Sequence, residues 1–478
     1  MKKLLLSASA ALLAVSAFAV TTDGNTYESV NGVSCQSIWM MSRYVDTKND
    51  VKDYANLPIA TSMARTATMY DGVVYVGDSG DTRVEGESTV NLGSIYKYNA
   101  LDGSYIGKLE LTADGERLSG VRPANQVGVD NFGNLWVIGL TQRSEAAATA
   151  KVKVYLVDKE TGACTLEGEL DFLTPTTRMD YFDLVGDVTR TEAKCVVMSA
   201  AAPPTQDLLV FRWVCEQGAT EWEGGFDGDT ELVMAEAYPT EALAWNYAPT
   251  VTIVLGEDEE MYSGALFYVD GFNTCPSMYN TTGSMDDSFA NAPDLAPQLG
   301  TNGVAELQFA GKNFIAYSIA QYNDGNKCQL NVCELGDGMV FEGMQKYWTL
   351  PADGLGETSD GGNRVHSISR QYVTEDGVNV GAYLLTFKSC NGMGIYGLGK
   401  IPGGSVEGSF TDDNNAKITV NGNVITVSEE ASEIAIFNVA GQEVAKVKNA
   451  TEIAAPSTGV YIVKAVVNGS PVVKKIVR

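Results

Sequence analysis

Apolar positions along the chain gather into short β-branched and aromatic runs separated by Gly, Asn and Asp. Six runs stand out: residues 73–77 (VVYVG), 135–139 (LWVIG), 195–199 (CVVMS), 265–269 (ALFYV), 314–318 (FIAYS) and 383–387 (YLLTF). Their mid-points, Val76, Val137, Val197, Phe267, Ile315 and Leu384, recur every 61, 60, 70, 48 and 69 residues. Runs this short, bounded by turn residues, are strands covered on both faces rather than helices. Most are preceded by a strand and a tight turn such as Asp71-Gly72 or Asp376-Gly377, and most are followed by a hairpin, as at 95–111, 154–170, 208–226 and 329–345. Four short antiparallel strands per long repeat is the pattern of a propeller blade. The fold expected is therefore all-β, a six-bladed β-propeller over 27–402. The fourth repeat is the weakest, because its second hairpin (275–300) is rich in Asn, Pro and Asp.

The sixth repeat supplies only three strands, ending at 393–401. A ring left open there would expose an unpaired sheet edge, so the N-terminal segment 33–45 is expected to seal it beside 393–401. At the start of the chain, Lys2 and Lys3, the apolar run 4–15 and Ala17-Phe18-Ala19 form a secretory signal over 1–19. No later stretch has the 18 apolar residues of a membrane span. A linker is expected over 403–415, opening at Gly403-Gly404. From 416 to 478 short β-branched runs alternate with the hairpin signals Asn421-Gly422 and Asn468-Gly469, the pattern of a small Ig-like β-sandwich.

Three motifs in that last segment, Ile436-Phe437-Asn438-Val439-Ala440-Gly441-Gln442-Glu443-Val444, Gly459-Val460-Tyr461-Ile462-Val463-Lys464 and Lys474-Lys475-Ile476-Val477, follow one another at the C-terminus. In this the segment resembles the C-terminal sorting domain of type IX secretion cargo in Bacteroidetes. The resemblance implies that outer-membrane secretion machinery is a partner of 416–478. It also implies that the chain travels through the periplasm to be secreted or held on the outer-membrane surface. Phe437 stands where that family usually has Tyr, and Pro456 interrupts its usual polar-leucine stretch. The core resembles secreted Bacteroidetes propeller domains of unknown function, through Trp39, Leu57-Pro58 and Arg65. That likeness carries no catalytic residues with it.

Charge narrows the choice of partner. Asp and Glu number 60 against 33 Lys and Arg, a net charge of −27. Such a surface repels phosphate backbones and excludes nucleic acid as the expected partner. Eight cysteines in an exported chain permit disulfides. The closure argument singles out Cys35 with Cys390, the alternative being that the cysteines are small buried apolar residues. No C-x-x-C pair exists, which argues against a zinc ribbon. Asp227-Gly228-Asp229 and Asp286-Asp287 are weak Ca²⁺ candidates that lack the spaced ladder of a calcium loop. No cofactor or metal is expected.

Propeller ligands sit at one end of the central channel, among the loops that enter the innermost strands. In register those loops carry Arg65, Arg122, Arg178 with Tyr181, Trp245 with Tyr247, Asn302 and Arg364. Convergent guanidiniums grip carboxylate or sulfate in forked geometry, and the aromatics suit sugar rings. Each arginine could instead pair with a neighbouring carboxylate such as Asp180, Asp183 or Asp360 and simply tie blades together. His366, the single histidine, is the one imidazole that could abstract a proton, as in a polysaccharide lyase. A buried, hydrogen-bonded structural histidine is the alternative. No G-x-S-x-G elbow exists, and with 60 acidic residues no glycosidase pair can be nominated. These features predict a non-enzymatic surface module that binds an anionic glycan or a protein at the channel mouth. The alternatives are an enzyme degrading acidic polysaccharide and a structural surface protein.

Overall fold

The computed structural model describes residues 22–42, 61–86, 88–143, 150–171, 177–201, 208–224, 232–234, 249–254, 266–271, 274–280, 284–297, 301–319, 328–356, 366–375, 377–402, 418–421, 424–438, 443–456, 460–467 and 470–477. The signal segment 1–19 and the linker 403–415 lie outside them. The chain divides into two compact units, Met1–Gly404 and Ser405–Arg478. Among the described residues the fold is all-β apart from two 3₁₀ turns, Phe289–Asn291 and Pro293–Leu295. No helix there is long and apolar enough to cross a membrane.

The first unit is propeller-like, built from small antiparallel sheets that follow one another along the chain. Sheet I runs Ala64–Tyr70, Val73–Glu85, Ser88–Asn99 and Tyr105–Glu110; sheet II runs Gln126–Val129, Leu135–Ile138, Val152–Val157 and Cys164–Leu170. Sheet III contains Phe182–Gly186, Cys195–Ala201 and Leu208–Cys215, the last paired with both Glu223–Gly224 and Leu232–Met234. Sheet IV runs Thr250–Val254, Leu266–Gly271, Thr274–Asn280 and Met285–Ser288; sheet V runs Val304–Phe309, Lys312–Ile319, Gln329–Gly336 and Val340–Leu350. Sheet VI takes His366–Glu375, Val378–Lys388 and Gly392–Gly399 from late in the chain. Its fourth strand, Cys35–Ser42, comes from the beginning and pairs antiparallel with Gly392–Gly399.

The packing explains why the second strand of each sheet is so uniformly apolar. Alternate residues of a strand point to opposite faces, and here both faces are covered. In sheet I, Val74 and Val76 join the apolar cluster shared with sheet VI, while Tyr75 joins the cluster shared with sheet II. Further clusters fill the junctions II–III, III–IV, IV–V and V–VI. The first strand of each sheet neighbours the first strand of the next, and the first strand of sheet VI returns to that of sheet I. Hydrogen bonds stitch this last junction: Ser367 Oγ accepts from Ala67 N at 3.1 Å, Ser369 Oγ from Met69 N at 3.0 Å, and Gln371 Oε1 from Gly72 N at 3.0 Å.

Close approach of backbone to an aromatic ring fixes one position in sheet II. Gly128 lies directly opposite Trp136, and a methyl group at Gly128 would overlap the indole, which is buried. Gly128→Ala is expected to destabilise the fold by about 1–3 kcal/mol through overpacking. A denaturant melt checks this, and an unchanged midpoint would show that the indole has room to move.

All eight cysteines are unbridged and buried. The expected Cys35–Cys390 bridge is corrected by register. Cys35 pairs with Leu398 while Ser42 pairs with Gly392, two residues after Cys390, so the two cysteines belong to opposite ends of the strand pair. Seven steps at ~3.3 Å separate those ends, far beyond the reach of a disulfide.

In the second unit, Val424–Asn438 is a long strand flanked along its length by Glu443–Ala454. On its other side it pairs first with Ile418–Asn421 and then with Val460–Val467, which carries Ser470–Val477 at its outer edge. The register breaks between Thr426 and Ala431. The two halves share one apolar core that includes Ile425, Val427, Ile434, Ile436, Val463 and Ala465.

Candidate functional site

The first strands of sheets I to VI surround a cavity of about 360 Å³, bordered by Thr68, Gln126, Asp183, Thr252, Val304, Arg370 and their neighbours. All six strands begin at the same end of it, so the residues that open them share one rim.

At that rim Arg65, the second residue of its strand, is 3% exposed. Its Nη2 donates to Tyr181 Oη at 2.7 Å and lies 3.5 Å from Asp180 Oδ1. Arg178 grips the same carboxylate with a fork, Nε to Oδ2 at 2.8 Å and Nη2 to Oδ1 at 2.6 Å. Arg178 stands on a two-stranded ribbon, Thr177–Met179 with Thr141–Arg143, that lies outside the main sheets. Its side chain is 52% exposed. Asn125 Nδ2 donates to the backbone carbonyl of Asp180, which holds that segment in place. Arg122 directs Nη1 to Met63 Sδ at 2.9 Å and toward Ser62 O at 3.4 Å, on the segment that leads into Arg65. Of the predicted rim residues, Arg65, Arg178 and Tyr181 are thus drawn together through Asp180. Trp245, Tyr247 and Arg364 lie outside the described residues.

Asn302 and His366 occupy the rim between sheets V and VI. His366 N donates to Asn302 O at 2.5 Å, and Asn302 N to Ser318 Oγ at 2.8 Å. The His366 ring is buried, with Nε2 hydrogen-bonded to Thr386 Oγ1. Burial, together with Lys388 nearby, holds its pKa well below the usual imidazole range, so the ring is neutral and weakly basic. Because the unfolded chain binds that proton near pH 6.5 and the folded chain does not, this group costs stability as the pH falls below about 6.5.

Besides Asp183, named from the sequence as a carboxylate that could pair with an arginine, the interior holds acidic and basic groups that the spacing of motifs did not nominate. Asp183, in the first strand of sheet III, accepts from Ile253 N at 2.7 Å through Oδ2 and from Leu184 N at 2.9 Å through Oδ1. Burial pushes its carboxyl up to about 6 against those bonds and the pull of Arg370. Asp270, beneath the rim of sheet IV, accepts from Gly303 N at 2.7 Å and from Thr250 Oγ1, and burial pushes it up to about 7. Glu306 of sheet V accepts from Tyr268 Oη at 3.0 Å and is likewise raised by burial. Arg370 of sheet VI donates Nε to Tyr372 Oη at 3.0 Å.

A carboxyl whose folded pKa lies above its unfolded one supports folding fully below about pH 4, and that support is lost as the pH rises through the folded value. For Asp183 the window is therefore about pH 4 to 6. Asp183→Asn removes the charge but turns one acceptor oxygen into an NH2 facing a backbone N–H, so it is expected to flatten the stability profile over that window at a hydrogen-bonding cost that is the same at every pH. Urea melts of wild type and variant at pH 4.5, 6 and 8 check this; a profile as steep in the variant as in the wild type would show that Asp183 does not titrate there.

Asp286 and Asp287 are employed structurally. Asp286 accepts from Asn280 Nδ2, while Asp287 accepts from Asn291 Nδ2 at 2.7 Å and Phe341 N at 2.6 Å, which ties sheet IV to sheet V. Asp227-Gly228-Asp229 lies outside the described residues. Among the described residues no group of three or more His, Cys, Asp or Glu is placed to hold a metal.

No protein-family model matches the chain, and no curated protein matches it. Similar solved structures include a DUF4623-family protein from Bacteroides eggerthii, 11% identical over 78% of this chain and 87% of that one, with a TM-score of 0.49. A Trypanosoma rangeli sialidase in complex with the inhibitor DANA is 9% identical over 86% of this chain and 84% of its own, with a TM-score of 0.37. An α-L-arabinofuranosidase from Lactobacillus brevis is 10% identical over 71% and 91%, with a TM-score of 0.31. Likeness of this extent carries no function across.

Proposed function

We propose that the chain is an exported six-bladed β-propeller that binds an acidic glycan at the Arg65–Arg178 rim of its axial channel. The observation that supports this is the charge count at Asp180. Two guanidiniums converge on one carboxylate, and the outer one, Arg178, is half in solvent. The surplus positive charge, on a body of net charge −27, suits a uronate or sulfate group better than a neutral sugar. Binding without turnover is favoured over a lyase because His366 is buried, neutral and engaged with Thr386. Residues 416–478 act in this reading as an Ig-like sorting sandwich recognised by outer-membrane secretion machinery. The signal over 1–19 directs the chain to the periplasm, and its destination is the cell surface or the medium.

Isothermal titration with oligogalacturonate tests the binding reading. Saturable binding is expected that weakens with salt, with the oligomer recovered at full length. Arg178→Ala is expected to weaken it by about tenfold, the loss of one charge-assisted fork. Equal affinity in wild type and variant would remove Arg178 from the site. Shortened oligomer, with shortening lost in His366→Ala, would establish the enzyme instead.

A further inference from the structure

Arg370 stands in the interior of the channel, away from the rim arginines. It is the fifth residue of His366–Glu375, and its half-buried side chain borders the axial cavity. Its Nε is satisfied by Tyr372 Oη, and its guanidinium carbon lies 5.8 Å from the centre of the Tyr372 ring. The two terminal nitrogens have neither a hydrogen-bond partner nor a carboxylate within 4.0 Å among the described residues. The side chain is only half-buried, so these nitrogens face the solvent of the cavity and are open to a ligand. Asp183 and Glu306 are near enough to act on Arg370 electrostatically, yet Asp183 spends its two oxygens on Ile253 N and Leu184 N, and Glu306 Oε1 accepts from Tyr268 Oη. An open fork of donors thus faces the cavity.

We propose that the axial cavity is a second, interior binding site for a small sugar-acid monocarboxylate such as a hexuronate, with the terminal nitrogens of Arg370 gripping the carboxylate. A cavity of about 360 Å³ falls in the lower part of the ~300–1,000 Å³ range of small-molecule sites and suits a single sugar ring, not a chain. Two N–H donors of one planar guanidinium match the two oxygens of a carboxylate. The interior site is independent of polymer binding at the rim.

The surroundings of Arg370 also set how its affinity depends on pH. Its charged and titratable neighbours are Asp183 from sheet III, Glu306 from sheet V and Tyr372 on its own strand, with Tyr268 of sheet IV bonded to Glu306. His366 borders the same cavity near the rim, and Asp130 of sheet II borders its far end, where its carboxylate caps the turn at Phe132 and Asn134. Asp183 and Glu306 repel an incoming anion when ionised. Burial raises both carboxyls, Asp183 to about 6, so Asp183 loses its charge as the medium turns mildly acidic. Affinity should therefore rise as the pH falls through about 6.

The test is titration of the full-length chain with sodium D-glucuronate at pH 5.5 and pH 8, with D-glucose as the uncharged control. One glucuronate is expected per chain, bound at least several-fold tighter at pH 5.5, and glucose is expected not to bind. Arg370→Met should weaken glucuronate at least tenfold, and Arg370→Lys, which keeps the charge without the fork, by a smaller factor. Asp183→Asn should tighten binding at pH 8 and reduce the pH difference. Arg178→Ala should leave glucuronate binding within twofold, which separates this site from the rim. The pH comparison on wild type needs no variant and holds even if Arg370→Met fails to fold. Absence of glucuronate binding, equal binding of glucose, or tighter binding at pH 8 than at pH 5.5 would each overturn the proposal.

Discussion

Trp39→Ala should lose about 3–5 kcal/mol of folding stability, the cost of emptying a fully buried indole site, and its melting temperature should fall by on the order of 10 °C. Trp39 is 1% exposed and lies on the strand that completes sheet VI. It packs in the cluster with Ala64, Met69 and Val74 of sheet I and with Phe387 and Met393 of sheet VI. Its Nε1 donates to Ala100 O at 2.8 Å, so the residue also bonds the last sheet to the first. Removing the ring leaves that carbonyl without this donor, which adds a penalty of about 1–3 kcal/mol. Against a typical total of ~5–15 kcal/mol, the loss is large enough to unfold the unit at modest temperature. Trp39→Phe keeps most of the packing and loses the bond, so it should fall between the two. Thermal and denaturant melts of the three proteins decide the matter. A loss under 1 kcal/mol in Trp39→Ala would mean that the junction of sheets VI and I holds without its N-terminal strand.

The second large effect is expected at Asp180. Asp180→Ala leaves Arg65, 3% exposed, without its only carboxylate among the described residues, and should cost about 3 kcal/mol. Arg178 is half exposed and solvates itself, so the cost falls on Arg65. The double variant Arg65→Met with Asp180→Ala removes both buried charges and should recover at least ~1 kcal/mol relative to Asp180→Ala alone. Denaturant melts of the two single variants and the double variant complete the cycle. Strict additivity of the single effects would show that Asp180 does not compensate Arg65. Asp180→Ala should also sharpen the attraction of the rim for anions, because neither guanidinium then faces a carboxylate there.

The strands were the most legible part of the sequence, for a physical reason. Each of the six apolar runs is the second strand of its sheet, covered on both faces by neighbouring sheets, so both of its side-chain rows had to be apolar. The rim was legible in part. Arg65 and Arg178 were recognisable as charges entering innermost strands and Asp180 as a carboxylate they could pair with, but that both meet on the same carboxylate follows from the fold, not from periodicity. Arg370 was not legible. It sits in mid-strand, and the groups that define its surroundings come from sheets III and V, far away in sequence. Cys35 with Cys390 failed through register. Neighbouring strands do not bring two residues together unless their order along the antiparallel pair also matches, and here the two cysteines stand at opposite ends.

Crystals of the full-length chain soaked with tri-galacturonate give the most direct test of the binding reading. Density is expected at the rim, with a carboxylate within hydrogen-bonding reach of Arg178 and the chain axis lying across the opening of the channel. Density confined to the outer strands of the sheets, or a rim left empty at saturating ligand, would contradict it.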